Sequence, residues 1–135
     1  MAREPKTRPT GASVEAFLDA VEHAGRREDG RTVAGMLAEV SGETPVMWGP
    51  SIVGYGSYRG PTGDWPLIGF SPRKANLVLY IMKGFAGSED LLARLGKHRT
   101  GGACLYLNRL TDIDEAILRQ LAAESVAYMR RKYAV

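Results

Sequence analysis

Residues 77–82 read LVLYIM, an unbroken run in which both alternating faces of an extended chain are apolar. Such a run is typical of a strand inside a sheet, because neighbouring strands and packed layers cover it on every side. We therefore predict an inner strand, with the odd-numbered side chains on one face and the even-numbered side chains on the other.

The segments on either side of this run predict two more strands and four helices. Residues 67–70 and 103–108 are predicted strands, and residues 72–76 form a loop that makes the first two strands a hairpin. Apolar residues at helical spacing predict one helix after Ser13 and a second helix whose apolar pattern begins at Val33 and which stops at Gly42. A short helix is predicted between Ser88 and Gly96, and a long one opens at Asp112 with a capping-box spacing to Glu115.

The order of these elements predicts the fold class. The strands are grouped together, and no crossover helices can be placed between them as a doubly wound parallel sheet would require. We predict an α+β fold in which an antiparallel sheet has its helices packed mainly on one side. Residues 12–135 are predicted to form a single domain, and residues 1–11 a flexible N-terminal tail.

Composition narrows the class of protein. The 135 residues carry a net charge of +3 and a single cysteine, Cys104, which is predicted to be buried and unreactive in a strand. No apolar stretch is long enough to span a bilayer or to form a signal-peptide core, which favours a cytoplasmic location and no membrane partner. No clustered basic face or known module is visible along the chain, so no nucleic-acid partner is predicted.

One segment, residues 47–58, is dense in glycine and aromatic residues and is followed closely by Trp65. Trp48, Tyr55, Tyr58 and Trp65 could form the wall of a pocket, with Ser51 in the turn between them. Alternatively, these aromatic side chains pack on the core around a Gly/Pro-rich turn. The sequence leaves both interpretations open.

Two basic segments could contribute to the same pocket. Arg73 lies in residues 71–74, while Lys97 and Arg99 lie in residues 96–102, where cations and glycine amides could cradle an anion. The alternative is a solvated basic turn that joins a helix to a strand. We predict that residues 48–58 and residues 97–100 come together in space.

Other chemistry is less well supported by the sequence. Glu15, Asp19 and Glu22 have the i, i+4, i+7 spacing of one helix face, which could hold iron or could simply be solvated. Neither Cys104 nor Ser51 has an identifiable catalytic partner, so we predict no enzymatic activity and no cofactor.

Several longer motifs resemble one family. They are MWGPSIVGYG at residues 47–56, GDW at 63–65, GFSPRK at 69–74, LYIM at 79–82 and LGKHRTG at 95–101. Together they resemble the YdhG-like family of bacterial domains of unknown function, over residues 13–128. The resemblance implies an α+β fold with an antiparallel sheet, and one branch of the family looks like a frataxin-type iron chaperone. It implies no catalytic residues.

The sequence thus predicts a non-enzymatic binding module for a small anionic ligand or a protein partner. An iron-binding, chaperone-like protein that uses acidic helix faces is the alternative. The residues predicted to bind the ligand are Trp48, Ser51, Tyr55, Tyr58, Trp65, Arg73, Lys97 and Arg99.

Overall fold

The computed structural model describes residues 8–135, and within them it contains four α-helices and eight strands. The helices are α1 (Val14–Asp19), α2 (Ala24–Ser41), α3 (Glu89–Leu95) and α4 (Glu115–Tyr133). The strands are β1 (Pro45–Trp48), β2 (Ile52–Tyr55), β3 (Tyr58–Gly60), β4 (Gly63–Trp65), β5 (Ile68–Pro72), β6 (Leu77–Tyr80), β7 (Arg99–Gly101) and β8 (Cys104–Leu107). A short 3₁₀ helix, Leu110–Asp112, precedes α4.

Six of the strands form one antiparallel sheet in the order β1-β2-β5-β6-β8-β7, and β3 and β4 form a separate hairpin. Strand β6 lies between β5 and β8, so the predicted inner strand is confirmed, although it ends at Tyr80 and not at Met82. Its register pairs Leu79 with Phe70 on one side and with Leu105 on the other. The predicted α+β fold with an antiparallel sheet is therefore confirmed.

The helices pack on the face of the sheet that carries the alternating large apolar side chains. Val53, Phe70, Leu79 and Leu105 point to this face and are fully buried with residues from all four helices. Each buried apolar side chain of this size contributes about 1.5–3 kcal/mol relative to an exposed one. The side chains of Tyr80 in β6 and Cys104 in β8 point to the opposite face of the sheet.

Helix ends follow the local chemistry of the sequence. Ser13 Oγ accepts the Ala16 N–H at 3.1 Å, and Gly42 ends α2 with φ +69°, as predicted for both residues. Helix α4 begins later than predicted. Asp114, rather than Asp112, is the N-cap, because residues 110–112 turn as a 3₁₀ helix first. The Asp114 Oδ1 accepts the Ala116 N–H at 2.9 Å.

Residues 8–10 extend the sheet beside β1. The Thr10 N–H donates to Met47 O at 2.8 Å, the Gly49 N–H donates to Arg8 O at 2.9 Å, and Pro9 bridges to Trp48. The prediction of a tail over residues 1–11 did not anticipate this pairing, because an edge strand leaves free backbone groups that any nearby extended segment can satisfy. Residues 1–7 of the predicted tail lie outside the described residues.

The helices of residues 8–135 include none that is long and apolar enough to cross a membrane.

Tyr55→Phe is expected to lower the free energy of unfolding by about 1 kcal/mol. Tyr55 is fully buried, and its hydroxyl donates to Ala34 O in α2 at 2.8 Å. Burial raises the pKa of this hydroxyl. Urea unfolding of both proteins measures the effect. Tyr128→Phe is the control, since Tyr128 is half-buried and the ammonium groups of Lys83 and Lys132 lie over its ring. Equal losses in the two variants would show that the Tyr55 bond contributes nothing specific.

Candidate functional site

The structure separates the two segments that were predicted to meet. Trp48 and Ser51 lie at β1 and its turn, whereas Lys97 and Arg99 lie at β7. These strands are the two opposite edges of the six-stranded sheet. At the usual spacing of neighbouring strands the edges are about 24 Å apart. The predicted juxtaposition is therefore wrong, because β8 adds next to β6 and carries β7 away from β2.

Trp48 is a packing residue rather than the wall of an open pocket. Only 2% of its surface is exposed. The ring lies directly over Gly54, where an added methyl group would overlap the indole Cδ1 and lie 2.8 Å from Pro66 Cβ. The glycine thus makes room for the tryptophan. Tyr55, the next predicted residue, points to the helical side of the sheet and belongs to the core.

Tyr58 and Trp65 are cross-strand partners in the β3–β4 hairpin. The Tyr58 ring lies 4.6 Å from the Tyr133 ring at the end of α4, at an angle of 40°. Trp65 Nε1 donates to Thr62 Oγ1 within the hairpin at 2.9 Å. Burial, followed by the proximity of Tyr133, raises the pKa of Tyr58. The contact between Tyr58 and Tyr133 attaches the hairpin to the C-terminal helix.

Ser51 and Lys97 are both exposed, and their contacts are made by the backbone. Ser51 O accepts the Ser71 hydroxyl at 2.6 Å, and the Lys97 N–H donates to Asp112 O at 3.3 Å. Arg99 differs, because its guanidinium lies 4.6 Å from the centre of the Tyr106 ring.

A cleft of about 700 Å³ opens where the N-terminus of α2 meets the β5–β6 loop. This volume is in the range of small-molecule sites. We call it the α2 cleft, and its lining residues are Val21, Glu22, His23, Arg26, Pro72, Arg73 and Lys74. Of the residues predicted from sequence, Arg73 is the one that lines it. Three cations and one carboxylate face this space, so its local charge is positive.

Arg26 is the most unusual residue of the α2 cleft. It is 4% exposed, and its guanidinium donates to Arg73 O at 2.5 Å and to Asn108 O at 3.1 Å. A further buried nitrogen, Nε, has no hydrogen-bond partner among residues 8–135. Every acceptor of Arg26 in this range is a neutral oxygen. Burial lowers the pKa of Arg26, while the charge of Asp29 acts in the opposite direction.

The carboxylate of Asp29, which lowers the charge imbalance around Arg26, forms its hydrogen bonds with other residues. Asp29 Oδ2 accepts from Arg109 Nε at 2.8 Å and from the Leu110 N–H at 3.1 Å. The hydrogen bond and charge of Asp29 raise the pKa of Arg109. Gly25 allows this approach, since a methyl group there would lie 2.7 Å from Arg109 Cζ. Asp29 therefore acts on Arg26 through its charge alone, while its hydrogen bonds go to Arg109 and Leu110.

His23 completes the entrance to the α2 cleft. Its Nδ1 accepts the Arg26 N–H at 3.0 Å, which makes His23 the N-cap of an 18-residue helix. The bond requires a lone pair on Nδ1, so this nitrogen carries no proton while it caps the helix. The positive end of the α2 dipole therefore lies beside the same space as Arg26.

Sequence reasoning missed Arg26 because it followed apolar residues alone. The predicted α2 pattern began at Val33, whereas the helix begins at Ala24. A signal was present nonetheless. Arg26 and Asp29 continue the helical stripe of Val33 toward the N-terminus, and charged residues in a buried stripe indicate a paired polar network.

The acidic residues considered for iron do not form one surface. Helix α1 ends at Asp19, so Glu22 is not on the same helical face as Glu15. Asp19 is paired with Arg31, and Glu22 lines the α2 cleft. Within residues 8–135, no group of three or more His, Cys, Asp or Glu side chains could hold a metal ion. The geometry of these residues thus adds no support to the iron alternative, which stays a prediction.

Comparison of the chain with family models, with curated proteins and with solved structures returns no match. The resemblance to the YdhG-like family stays a prediction, as does the cytoplasmic location.

Proposed function

We propose that this protein is a non-enzymatic binding module that takes a small anionic ligand into the α2 cleft. The observation that carries the proposal is Arg26, a buried cation whose acceptors within residues 8–135 are neutral and whose Nε has no partner among those residues. A buried charge is stable only when it is paired, and here the pairing is incomplete. An anion beside Arg26 would supply the missing charge.

The surroundings of Arg26 support the same ligand class. Arg73 and Lys74 are exposed at the rim, and the N-terminus of α2 adds its positive dipole. Val21 and Pro72 supply an apolar part of the wall, as is usual in small-molecule sites. A carboxylate or phosphate group attached to a small organic body matches this combination.

The α2 cleft is a binding site rather than a catalytic one in this proposal. His23 supplies the imidazole of this cleft, the side chain most often used for proton transfer in enzymes, and its Nδ1 is committed to the helix cap. The other lining side chains are cations, a carboxylate and apolar groups. They can orient and neutralise a ligand.

Titration with inorganic phosphate and pyrophosphate, at constant ionic strength, tests the proposal. We expect saturable shifts of the amide NMR signals of Gly25 and Lys74, together with a rise in melting temperature, because a ligand stabilises the state that binds it. Lys74→Gln should weaken binding about 10- to 150-fold, since a hydrogen bond to a charged group contributes about 1.5–3 kcal/mol. Arg26→Met should abolish binding.

Arg131→Gln is the matched control for the loss of one exposed charge. Arg131 lies in the last turn of α4, and the adjacent Arg130 bonds to Ser41 O at the far end of α2 from the cleft. This variant should bind as the unmodified protein does. Shifts that never saturate, or equal weakening by Lys74→Gln and Arg131→Gln, would contradict a specific site.

A further inference from the structure

The side of the sheet away from the helices has a chemistry of its own. The register places Tyr80 opposite Cys104, and Val78 opposite Tyr106, on the face that alternates with the core residues Leu79 and Leu105. We call this surface the outer face, and define it by Tyr80, Arg99, Cys104 and Tyr106; Ser71 and Val78 share the register of this face but are buried. Within residues 8–135, the core residues of all four helices pack against the other face.

Cys104 belongs to the outer face, which corrects the prediction that it is buried. Its exposure is intermediate, because Leu105 and Leu107 take the inward positions of β8. The neighbouring tyrosines are half-buried as well, so aromatic surface remains accessible here.

Two arginine–tyrosine pairs stand on this face. The Arg99 guanidinium lies 4.6 Å from the centre of the Tyr106 ring, and Arg73 Nη2 donates to the Tyr80 hydroxyl at 2.6 Å. Tyr80 and Tyr106 are diagonal neighbours on adjacent strands, a relation that puts them about 7–8 Å apart. The fold thus brings together two cations and two aromatic rings that are widely separated along the chain.

The charge of the outer face is of one sign. The outward positions of β5, β6, β7 and β8 include Arg99 and no aspartate or glutamate, and Arg73 reaches over the same surface. A second copy of this chain would bring arginine against arginine, which is unfavourable. The complementary partner is therefore negatively charged and offers flat groups that can stack.

We propose that the outer face binds single-stranded nucleic acid. Bases stack on tyrosine rings and on guanidinium planes, and the phosphates between them pair with arginine. Single strands are favoured over duplexes, since a six-stranded sheet is too broad to enter a groove that admits a helix or a two-stranded ribbon. An acidic protein segment matches the charge but offers fewer flat groups for the two rings.

This proposal replaces the sequence-based expectation of no nucleic-acid partner. That expectation rested on the absence of a basic cluster along the chain, whereas Arg73 and Arg99 become neighbours of one surface only through the pairing of β6 with β8. The outer face is independent of the α2 cleft, with which it shares Arg73 alone.

Fluorescence anisotropy with a labelled oligothymidylate of about 15 nucleotides, at about 50 mM salt, tests the proposal. We expect saturable binding that weakens about fivefold in Arg99→Gln, with a smaller dependence on salt concentration. Tyr106→Leu should weaken binding about tenfold through the loss of stacking. Circular dichroism checks that both variants remain folded, and Arg99→Gln changes an exposed side chain, so folding is retained.

One control variant defines what would overturn the proposal. Arg131→Gln, on the end of α4, should leave the affinity unchanged. Absence of binding at about 100 µM protein, or weakening by Arg131→Gln as large as that by Arg99→Gln, overturns it. Tighter binding of the duplex, or of a labelled polyglutamate peptide, also overturns it and assigns the face to that partner.

Discussion

Trp48→Ala is expected to lower the free energy of unfolding by about 3–5 kcal/mol, the usual effect of removing a buried tryptophan. The indole is 2% exposed and fills the space above Gly54, next to Pro66. Truncation leaves a cavity that the glycine cannot fill. Because a domain of this size has a total stability of about 5–15 kcal/mol, the variant should be close to unfolding.

Trp65→Ala is the matched control, since it removes the other tryptophan of the same chain. Trp65 is half-buried in the β3–β4 hairpin, and its Nε1 bonds to Thr62 at an exposed position. We expect a loss of about 1 kcal/mol or less. Urea unfolding followed by circular dichroism compares the two variants without relying on tryptophan fluorescence. Equal losses would show that Trp48 does not pack as described.

Gly96→Ala is expected to lower the free energy of unfolding by about 3 kcal/mol. Gly96 has φ 112° and ψ −159°, a backbone conformation that is essentially restricted to glycine. A methyl group there would overlap Asp112 O and lie 3.0 Å from Ile113 Cα. Both neighbours are backbone atoms, which cannot move aside as a flexible side chain does. The bridge between Gly96 and Ile113 should therefore open.

Gly102→Ala separates the cost of backbone conformation from the cost of the overlap. Gly102 also has a positive φ, of +58°, but nothing lies within 4 Å of an added methyl group. An alanine in this left-handed region costs about 1 kcal/mol. Thermal unfolding of both variants gives the comparison. If Gly96→Ala is no more harmful than Gly102→Ala, the contact between α3 and the start of α4 is looser than described.

Much of the fold was predictable because it depends on short-range patterns. The apolar run at residues 77–82 identified an inner strand, and the positions of Ser13 and Gly42 identified helix ends. In each case the deciding interaction lies within a few residues, such as a side-chain cap or a left-handed glycine. The grouping of strands was enough to indicate an antiparallel sheet.

The candidate site was not predictable in the same way. Its central residue, Arg26, bonds to backbone carbonyls 47 and 82 residues further along the chain. The sequence of α2 gives no indication that these distant carbonyl groups are the partners of Arg26. The prediction of a pocket at residues 47–58 was unreliable for a related reason, since aromatic side chains pack in cores as readily as they line pockets. Trp48 and Tyr55 are both buried, although their side chains lie on opposite faces of the β1–β2 pair.

The sequence by itself determined the four helices, the strands β5, β6 and β8, and the antiparallel pairing of the sheet, whereas β1 to β4 and β7 were not predicted. Only the tertiary structure decided the order of the strands across that sheet. Strand order places β7 next to β8, at the edge farthest from β1, and so separates Lys97 from Trp48 while it brings Arg99 and Arg73 to one face. The physical reason is that helix and strand patterns arise from neighbouring residues, whereas pairing between distant strands is selected by the burial of the whole apolar face.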